Sequence, residues 1–473
     1  MTNDIWLSII PALVTVLTAI FSKRIIPSLT LGLWAGSILL DFNIFKGTIR
    51  SAEYIVSSLA DEDSAYIVLF LFVFGSLSEL FKISGGIKGF SNLAERYVKN
   101  ERGALLSVWA ATPATFLDCC FHVISTGTIS KPLTEKVNGS KEKLAMVINV
   151  TSSQLIVLIP IATTYVGYII GVIRNAMQQA GITGSPYSLY LKSIPFNFYS
   201  IGMVILSILV TLLGLNFGNW RFGKVGGSDE GVHSGHEAHE ECKFEEKAQP
   251  RILNLLLPLS FLICLIIFLF WHTGRSNDRT FLQAIMNAEF EKAIFIATFA
   301  TVIFTAIYYR IQKVPMGEME SHFLSGGTEL LPPIVVLILS WSLSSVTQDL
   351  GFIEFVSETV GANIPKSFIP AAIFLIGGFT SYFIGSSWAT WALIMPLGLP
   401  LAVSTGASLP LTVGAVLAGG SIGDNVSPLG ETPVLTSAIT DVPILDHIQT
   451  TLPYACIIIA ISTVIYVLTQ III

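Results

Sequence analysis

Apolar runs of about 20 residues recur along almost the whole chain, separated by short polar loops. Because a helix needs about 20 apolar residues to cross a hydrocarbon core of ~30 Å, this pattern predicts an all-α protein that crosses the membrane many times. Polar residues interrupt several runs, so we expect about eleven to thirteen membrane elements, some of them broken or re-entrant helices. The runs lie near residues 5–22, 27–46, 64–83, 102–117, 155–173, 194–217, 252–272, 290–310, 326–347, 367–385, 388–405, 409–423 and 450–473.

Composition agrees with a polytopic membrane protein. Of the 473 residues, 52% are hydrophobic and 12% are charged, and the mean hydropathy is +0.70, which is outside the range of soluble domains. The net charge of -6 comes mostly from one hydrophilic loop and gives no reason to expect a nucleic-acid partner. The lipid bilayer is the expected partner, with the plasma membrane as location. No basic segment precedes the first run, so we expect a retained helix rather than a signal peptide.

The cysteines and one histidine cluster add little. The five cysteines lack the spacing of a disulfide framework, and those in apolar runs are expected to act as small hydrophobes. In the acidic loop a histidine-rich series is spaced by threes, which suits either a solvated loop or a transition-metal site. The cysteines are Cys119, Cys120, Cys242, Cys264 and Cys456. The series in the acidic loop consists of His233, His236, His239 and Cys242.

A hydrophilic stretch at 218–250 divides the chain into two apolar halves, 1–217 and 251–473. When the first half is shifted by 268 residues, Ser153 falls on Ser421 and Pro160 on Pro428, and the order of broken runs and prolines is similar. We therefore predict two degenerate repeats, which we expect to be inverted. Transporters with paired repeats bind their ions near the bilayer midplane, between unwound helices.

Each half places one aspartate within apolar sequence. Asp424 lies in the glycine-rich segment 419–428, and Asp118 lies in the interrupted segment 115–128. A charge at the bilayer centre costs about 2.5–3.5 kcal/mol on insertion scales, so such a residue is usually kept for a function. The polar run 149–154 also interrupts apolar sequence, and it supplies hydroxyl and carbonyl oxygens, the hard ligands that suit sodium-like cations.

The polar residues of these segments form three groups of candidates. The expected cation- or proton-binding residues are Asp118, Asp424, Asn425, Ser421, Ser152 and Thr126. Candidate proton-relay groups are Glu79, His122, Asp349 and Glu431. Candidate substrate-binding residues are Asn149, Ser153, Gln154, Ser386, Ser387 and Trp388.

Structural roles remain open for several of these residues. A buried aspartate can cap a helix or form an ion pair, and a serine or threonine in a membrane helix often donates a hydrogen bond to its own backbone. If the helix around Asp118 is continuous, Asp118 and His122 lie on one face of it. His122 is then either a hydrogen-bonded structural residue or a proton carrier. Glu79 and Asp349 lie near the ends of their runs and can equally be interfacial.

Several short motifs occur in a characteristic order along the chain. They are Ser84-Gly85-Gly86, Phe116-Leu117-Asp118, Thr126-Gly127-Thr128 with Pro132, Lys143-Leu144-Ala145, Ser193 to Tyr199, Gly423 to Pro428, Glu431-Thr432, Asp446-His447-Ile448 and Leu452 to Ala455. With these motifs the chain resembles the NhaC-type sodium/proton antiporter family, within the wider ion-transporter superfamily. Two positions depart from that family, which often has a second acid where this chain has Cys119 and a histidine where it has Asn425.

The resemblance and the embedded acids together imply a secondary active transporter in which Na⁺ and H⁺ compete for Asp118 and Asp424 by alternating access. The alternative is sodium- or proton-coupled transport of a small organic anion or amino acid, since relatives of this family exchange such solutes. Cys119 favours this alternative, because it removes a charge that a cation exchanger would use. No catalytic or cofactor motif is visible, so we expect no enzyme activity and no cofactor besides the transported or coupling ions. A homodimer is compatible with the sequence.

Overall fold

The computed structural model describes residues 5–214, 250–276, 280–355 and 365–473, and all regular secondary structure in these ranges is helical. The predicted all-α class is therefore confirmed. Capping residues define many helix starts, because a side-chain oxygen accepts a hydrogen bond from a free backbone N–H of the first turn. Asn43, Asp61, Asn100 and Ser140 act in this way.

The first part of the chain contains eleven α-helices among its described residues. A turn of wider π-helix and a turn of 3-10 helix follow α8, and a second 3-10 turn separates α10 from α11. The helices are α1 (Ile10–Ser22), α2 (Ile25–Asp41), α3 (Ile44–Ala60), α4 (Glu62–Lys82), α5 (Gly86–Tyr97), α6 (Glu101–Thr115), α7 (Cys119–Lys136), α8 (Lys141–Asn149), α9 (Thr164–Gln179), α10 (Pro186–Ser193) and α11 (Phe198–Leu213).

The second part, from residue 250 onward, contains twelve further α-helices in the described ranges. They are α12 (Leu253–Gly274), α13 (Phe281–Met286), α14 (Phe290–Ile311), α15 (Met316–Glu329), α16 (Leu331–Asp349), α17 (Phe352–Phe355), α18 (Ile369–Ile384), α19 (Ser387–Thr405), α20 (Leu409–Gly420), α21 (Gly423–Val426), α22 (Glu431–Thr440) and α23 (Ile444–Ile472).

Within the described ranges, seven helices are long and apolar enough to cross a membrane, and there are eight spans if the bent pair Pro186–Phe196 and Phe198–Leu213 counts as one. Two shorter apolar helices, Trp6–Ser22 and Ile25–Asp41, add to these. The predicted total of eleven to thirteen elements also counts broken elements, and it stays a prediction.

Helix boundaries in the two halves correspond at the shift of 268 residues. The first residues of α6 and α18 are Glu101 and Ile369, and those of α8 and α20 are Lys141 and Leu409. The N-cap residues of α7 and α19, Asp118 and Ser386, are separated by the same interval. This regularity supports the predicted repeat, which at the sequence level was inferred from the order of broken runs and prolines and from a few identities.

Two breaks in the helical structure position the candidate site. After α8 the chain passes through the π-helical turn Val150–Leu155 and becomes extended at Ile159, and α9 begins only at Thr164. Only the part of the apolar run 155–173 from Thr164 onward is α-helical, because the first part of the run is unwound. In the second half α20 ends at Gly420, and the short helix α21 follows it. Non-helical backbone at membrane depth is tolerated where it is buried in protein or lines a cavity.

Candidate functional site

Asp118 is buried, with 8% of its surface exposed, and it caps α7. Its Oδ2 accepts hydrogen bonds from the backbone N–H groups of Cys120 (3.0 Å) and Phe121 (3.1 Å). Its Oδ1 accepts one from the Thr164 hydroxyl at 3.1 Å. An ionised carboxylate has about four acceptor positions, so Asp118 keeps capacity for a cation or a proton.

Asp424 is 4% exposed and lies on α21, within the second break. Its Oδ2 accepts hydrogen bonds from the Ser387 hydroxyl and, at 3.3 Å, from the Tyr165 hydroxyl. The backbone N–H of Ser387 donates to Oδ1 at 3.4 Å. The structure thus brings Ser387, a candidate substrate ligand, directly onto the candidate cation-binding acid.

The first turn of α9 connects the two acids. Thr164 contacts Asp118, and the next residue, Tyr165, contacts Asp424. Neither acid forms an ion pair with a basic side chain of the described ranges. Since an uncompensated buried carboxylate is costly, the pair is suited to holding a cation or taking up a proton.

Glu431, the first residue of α22, extends this acidic region. The thiol of Cys120 donates a hydrogen bond to Glu431 Oε1 over 3.3 Å. Glu431 is solvent-accessible, whereas Cys120 is 8% exposed. Glu431 therefore lies at the outer edge of this acidic region.

The two helix breaks are hydrogen-bonded directly to one another. Asn425 Nδ2 donates to Asn149 Oδ1 at 2.7 Å, and Asn149 Nδ2 donates to the carbonyl of Asp424 at 3.1 Å. Gln154 Nε2 donates to the carbonyl of Ser421 at 2.8 Å. Asn149 and Gln154 thus satisfy backbone carbonyls of the second break, which is a structural role.

The remaining hydroxyl candidates form mainly local hydrogen bonds. Four of them donate to a carbonyl of their own helical segment, a common arrangement in membrane helices. These are Ser421 to Leu417, Ser152 and Ser153 to Asn149, and Thr126 to His122. Ser386 is the N-cap of α19 and accepts from the backbone N–H of Ala389.

His122 points away from Asp118 in this structure. The helix starts at Cys119 with Asp118 as its N-cap, so the condition for placing both side chains on one face of a continuous helix is not met. His122 Nδ1 lies 2.8 Å from Thr115 Oγ1, and His122 Nε2 lies 2.9 Å from Thr151 Oγ1. Both ring nitrogens are occupied, and the residue joins α6 to the first break.

Trp388 belongs to an aromatic cluster next to Asp424. Its ring makes edge-to-face contacts with Tyr165 (4.9 Å between centroids) and Tyr168 (4.7 Å). Tyr168 OH also donates to the carbonyl of Trp388 at 2.8 Å. Packing of this kind contributes about 0.5–1.5 kcal/mol per pair beyond area burial, and it fixes the wall of the site.

Glu79 lies in a separate charged cluster at the end of α4. Lys82 Nζ is 2.5 Å from Glu79 Oε2 and 3.7 Å from Glu329 Oε2, and His322 Nδ1 is 3.2 Å from Glu79 Oε1. Sequence reasoning singled out Glu79 but none of its partners as site residues, because α15, distant in sequence, supplies His322 and Glu329.

Asp349 does not join the other candidates. It is exposed at the end of α16, and the hydroxyl of Tyr54 donates to its Oδ2. Its exposure and its distance from the other candidates agree with the interfacial alternative, which stays a prediction. The predicted histidine and cysteine series at 233–242 lies outside the described residues.

Sequence reasoning missed Thr164, Tyr165 and Cys120 as parts of the site. Thr164 and Tyr165 lie within an apolar run that gave no reason to single them out, and Cys120 has no acidic or amide group to distinguish it. The unwound stretch before Thr164 contains Pro160, and this proline was the available signal.

Two buried acids without a basic partner in the described ranges, one capping α7 and one at the break after α20, are typical of membrane transporters for small solutes. The model of the Na⁺/H⁺ antiporter family matches residues 155–471. This match covers more than half of the chain, and the protein belongs to that family. The resemblance found in the sequence is thus confirmed, and the chain is a multi-pass membrane protein.

Three relatives show how the similarity is distributed. An uncharacterized protein of Haemophilus influenzae is 26% identical over 471 residues, which cover 96% of this chain and 88% of the relative. The arginine/ornithine antiporter ArcD of Halobacterium salinarum is 32% identical over 137 residues, 29% of this chain and 28% of the relative. The Na⁺/H⁺ antiporter NhaC of Alkalihalophilus pseudofirmus is 26% identical over 148 residues, 31% of this chain and 32% of the relative.

A solved structure supports the fold over nearly the full length. MtrF of Neisseria gonorrhoeae, described as illuminating a class of antimetabolite efflux pumps, superimposes with a TM-score of 0.62. The match covers 92% of this chain and 86% of that one, at 13% sequence identity. At this identity the similarity concerns the fold alone.

Proposed function

We propose that the protein is a Na⁺/H⁺ antiporter of the plasma membrane, in which Asp118 and Asp424 bind Na⁺ and H⁺ in alternation. The observation that carries this proposal is that consecutive residues of α9, Thr164 and Tyr165, donate hydrogen bonds to the two acids. Neither acid pairs with a basic side chain of the described ranges. An acid without a counter-ion favours either a bound proton or a bound cation, and one occupant excludes the other.

The arrangement also supports alternating access. Asp118 belongs to the first half of the chain and Asp424 to the second, and the amide bonds between the two breaks cross the same boundary. A movement of one half relative to the other would therefore change the positions of both acids and their access to solvent at the same time. Glu431 is the group through which we expect protons or cations to reach them.

Proteoliposomes containing a pH-sensitive dye test the proposal. An inward Na⁺ gradient should drive proton efflux through the wild-type protein and not through Asp424→Asn. Asp349→Asn is the matched control, because it removes an exposed acid outside the site and should preserve exchange. Equal proton movement in Asp424→Asn and the wild type would exclude Asp424 from the mechanism.

A second candidate function is exchange of an organic anion or amino acid coupled to Na⁺ or H⁺. It is favoured by the similarity to a relative described as an arginine/ornithine antiporter and by the Ser387 and Trp388 groups beside Asp424. Uptake of labelled carboxylates and amino acids into the same proteoliposomes, with and without a Na⁺ gradient, separates the two functions. Na⁺-driven proton movement without uptake of any organic solute favours the first.

A further inference from the structure

Two adjacent thiols lie among the acids of the site. The Sγ atoms of Cys119 and Cys120 are 3.9 Å apart. A carboxylate oxygen of Asp118 and these two sulfurs all lie within 4.8 Å of one another. Glu431 Oε1 lies 3.3 Å from Cys120 Sγ. Two sulfurs and the Asp118 carboxylate thus lie close together, and Glu431, from the second half of the chain, contacts this group through Cys120.

The chemistry of this set differs from that of a sodium site. Na⁺ is a hard cation that favours oxygen, whereas thiolates select soft or borderline cations. Zn²⁺ binds sulfur at about 2.3 Å in tetrahedral sites, so two sulfurs on one zinc ion lie about 3.8 Å apart. The observed separation of 3.9 Å is close to this value, and both sulfurs can bind one ion with little rearrangement.

We propose that Asp118, Cys119, Cys120 and Glu431 form a binding site for a thiophilic divalent cation such as Zn²⁺ or Cd²⁺. Binding releases the thiol protons, and the metal then compensates negative charge that is buried in this region. Binding strength should therefore fall as the pH is lowered. Metal binding at this site does not depend on transport. A bound metal should also inhibit Na⁺/H⁺ exchange, because it uses Asp118, and this second expectation rests on the proposed function.

Titration of the purified full-length protein with CdCl₂ tests the site directly. Thiolate coordination of Cd²⁺ produces an ultraviolet charge-transfer band, which should saturate at one ion per chain. The background variant Cys242→Ser/Cys264→Ser/Cys456→Ser should keep this band, because Cys119 and Cys120 remain. Cys264 and Cys456 are exposed, and their substitution should be tolerated. Loss of the band in this background would overturn the proposal.

The converse variant carries Cys119→Ser and Cys120→Ser with the other three cysteines intact, and it should lose the band. A band that persists would place the metal elsewhere. In the background variant, Asp118→Asn and Glu431→Gln should each weaken Cd²⁺ binding by about 10-fold or more. Asp349→Asn should leave the binding unchanged, and unchanged affinity in both site variants would contradict the proposed carboxylate ligands. All of these measurements can succeed even if transport of Na⁺ is disproved.

Discussion

Asn149 and Asn425 join the two halves of the protein at their helix breaks. The amide of Asn425 donates to the side-chain oxygen of Asn149 at 2.7 Å, and the amide of Asn149 donates to the carbonyl of Asp424 at 3.1 Å. Both asparagines are fully buried. The backbone position of Asp424 thus depends directly on a residue of the other half.

Asn149→Ala should destabilise the protein, because it leaves the amide of Asn425 and the carbonyl of Asp424 without partners. Each buried polar group that loses its partner costs about 1–3 kcal/mol. The double variant Asn149→Ala/Asn425→Ala should cost less than the sum of the single variants, with a coupling of about 0.5–3 kcal/mol. Thermal unfolding in detergent measures this cycle. Additive effects would show that the two amides act independently.

Asp118 has two roles that one pair of variants separates. Asparagine caps helices about as well as aspartate, and alanine does not. Asp118→Asn should therefore keep the stability of the wild type and lose exchange, whereas Asp118→Ala should lose exchange and about 1 kcal/mol of stability. Thermal unfolding and proton movement in proteoliposomes test the two parts. Exchange by Asp118→Asn at the wild-type rate would show that the capping role is the only one.

Tyr165→Phe should weaken Na⁺ binding while leaving the aromatic packing intact. The variant removes one hydrogen bond to Asp424, and a hydrogen bond to a charged group contributes about 1.5–3 kcal/mol. The carboxylate then holds a proton more readily, so half-saturating Na⁺ should rise about 10-fold or more at constant pH. Tyr168→Phe is the control, because its hydroxyl contacts the carbonyl of Trp388 and not the acid. Equal Na⁺ dependence in both variants would contradict a role for the Tyr165 hydroxyl.

Two glycines of α15 should respond in opposite ways to alanine. A Cβ atom at Gly326 would lie 2.3 Å from the carbonyl oxygen of Gly75, where α15 crosses α4, whereas one at Gly317 would meet nothing within 4 Å. Gly326→Ala should cost about 1–3 kcal/mol through overpacking, and Gly317→Ala should stabilise the helix by about 0.5–1 kcal/mol. Thermal unfolding compares them. A stable Gly326→Ala variant would show that this crossing is loosely packed.

The apolar pattern was sufficient to predict the helical class and the two breaks, because hydrophobic length and interrupting polar residues are local properties. Asp118 and Asp424 could also be selected, since a carboxylate in an apolar run is unusual wherever it lies. The partners of these acids were not predictable in the same way. Thr164 and Tyr165 are ordinary residues of an apolar run, and only the unwound segment before α9 places them on the acids. The roles of His122 and Asp349 likewise depend on helices that are distant in sequence.

The most direct test of the account measures protons released when Na⁺ binds to the purified protein in weakly buffered detergent solution. We expect the wild-type protein to release protons on addition of Na⁺. The number of protons released should be smaller at high pH, where fewer protons are bound before Na⁺ is added. Choline chloride should release none. Asp118→Asn and Asp424→Asn should each abolish or strongly reduce the release, whereas Asp349→Asn should preserve it. Undiminished release by both site variants would contradict competition between Na⁺ and H⁺ for these two acids.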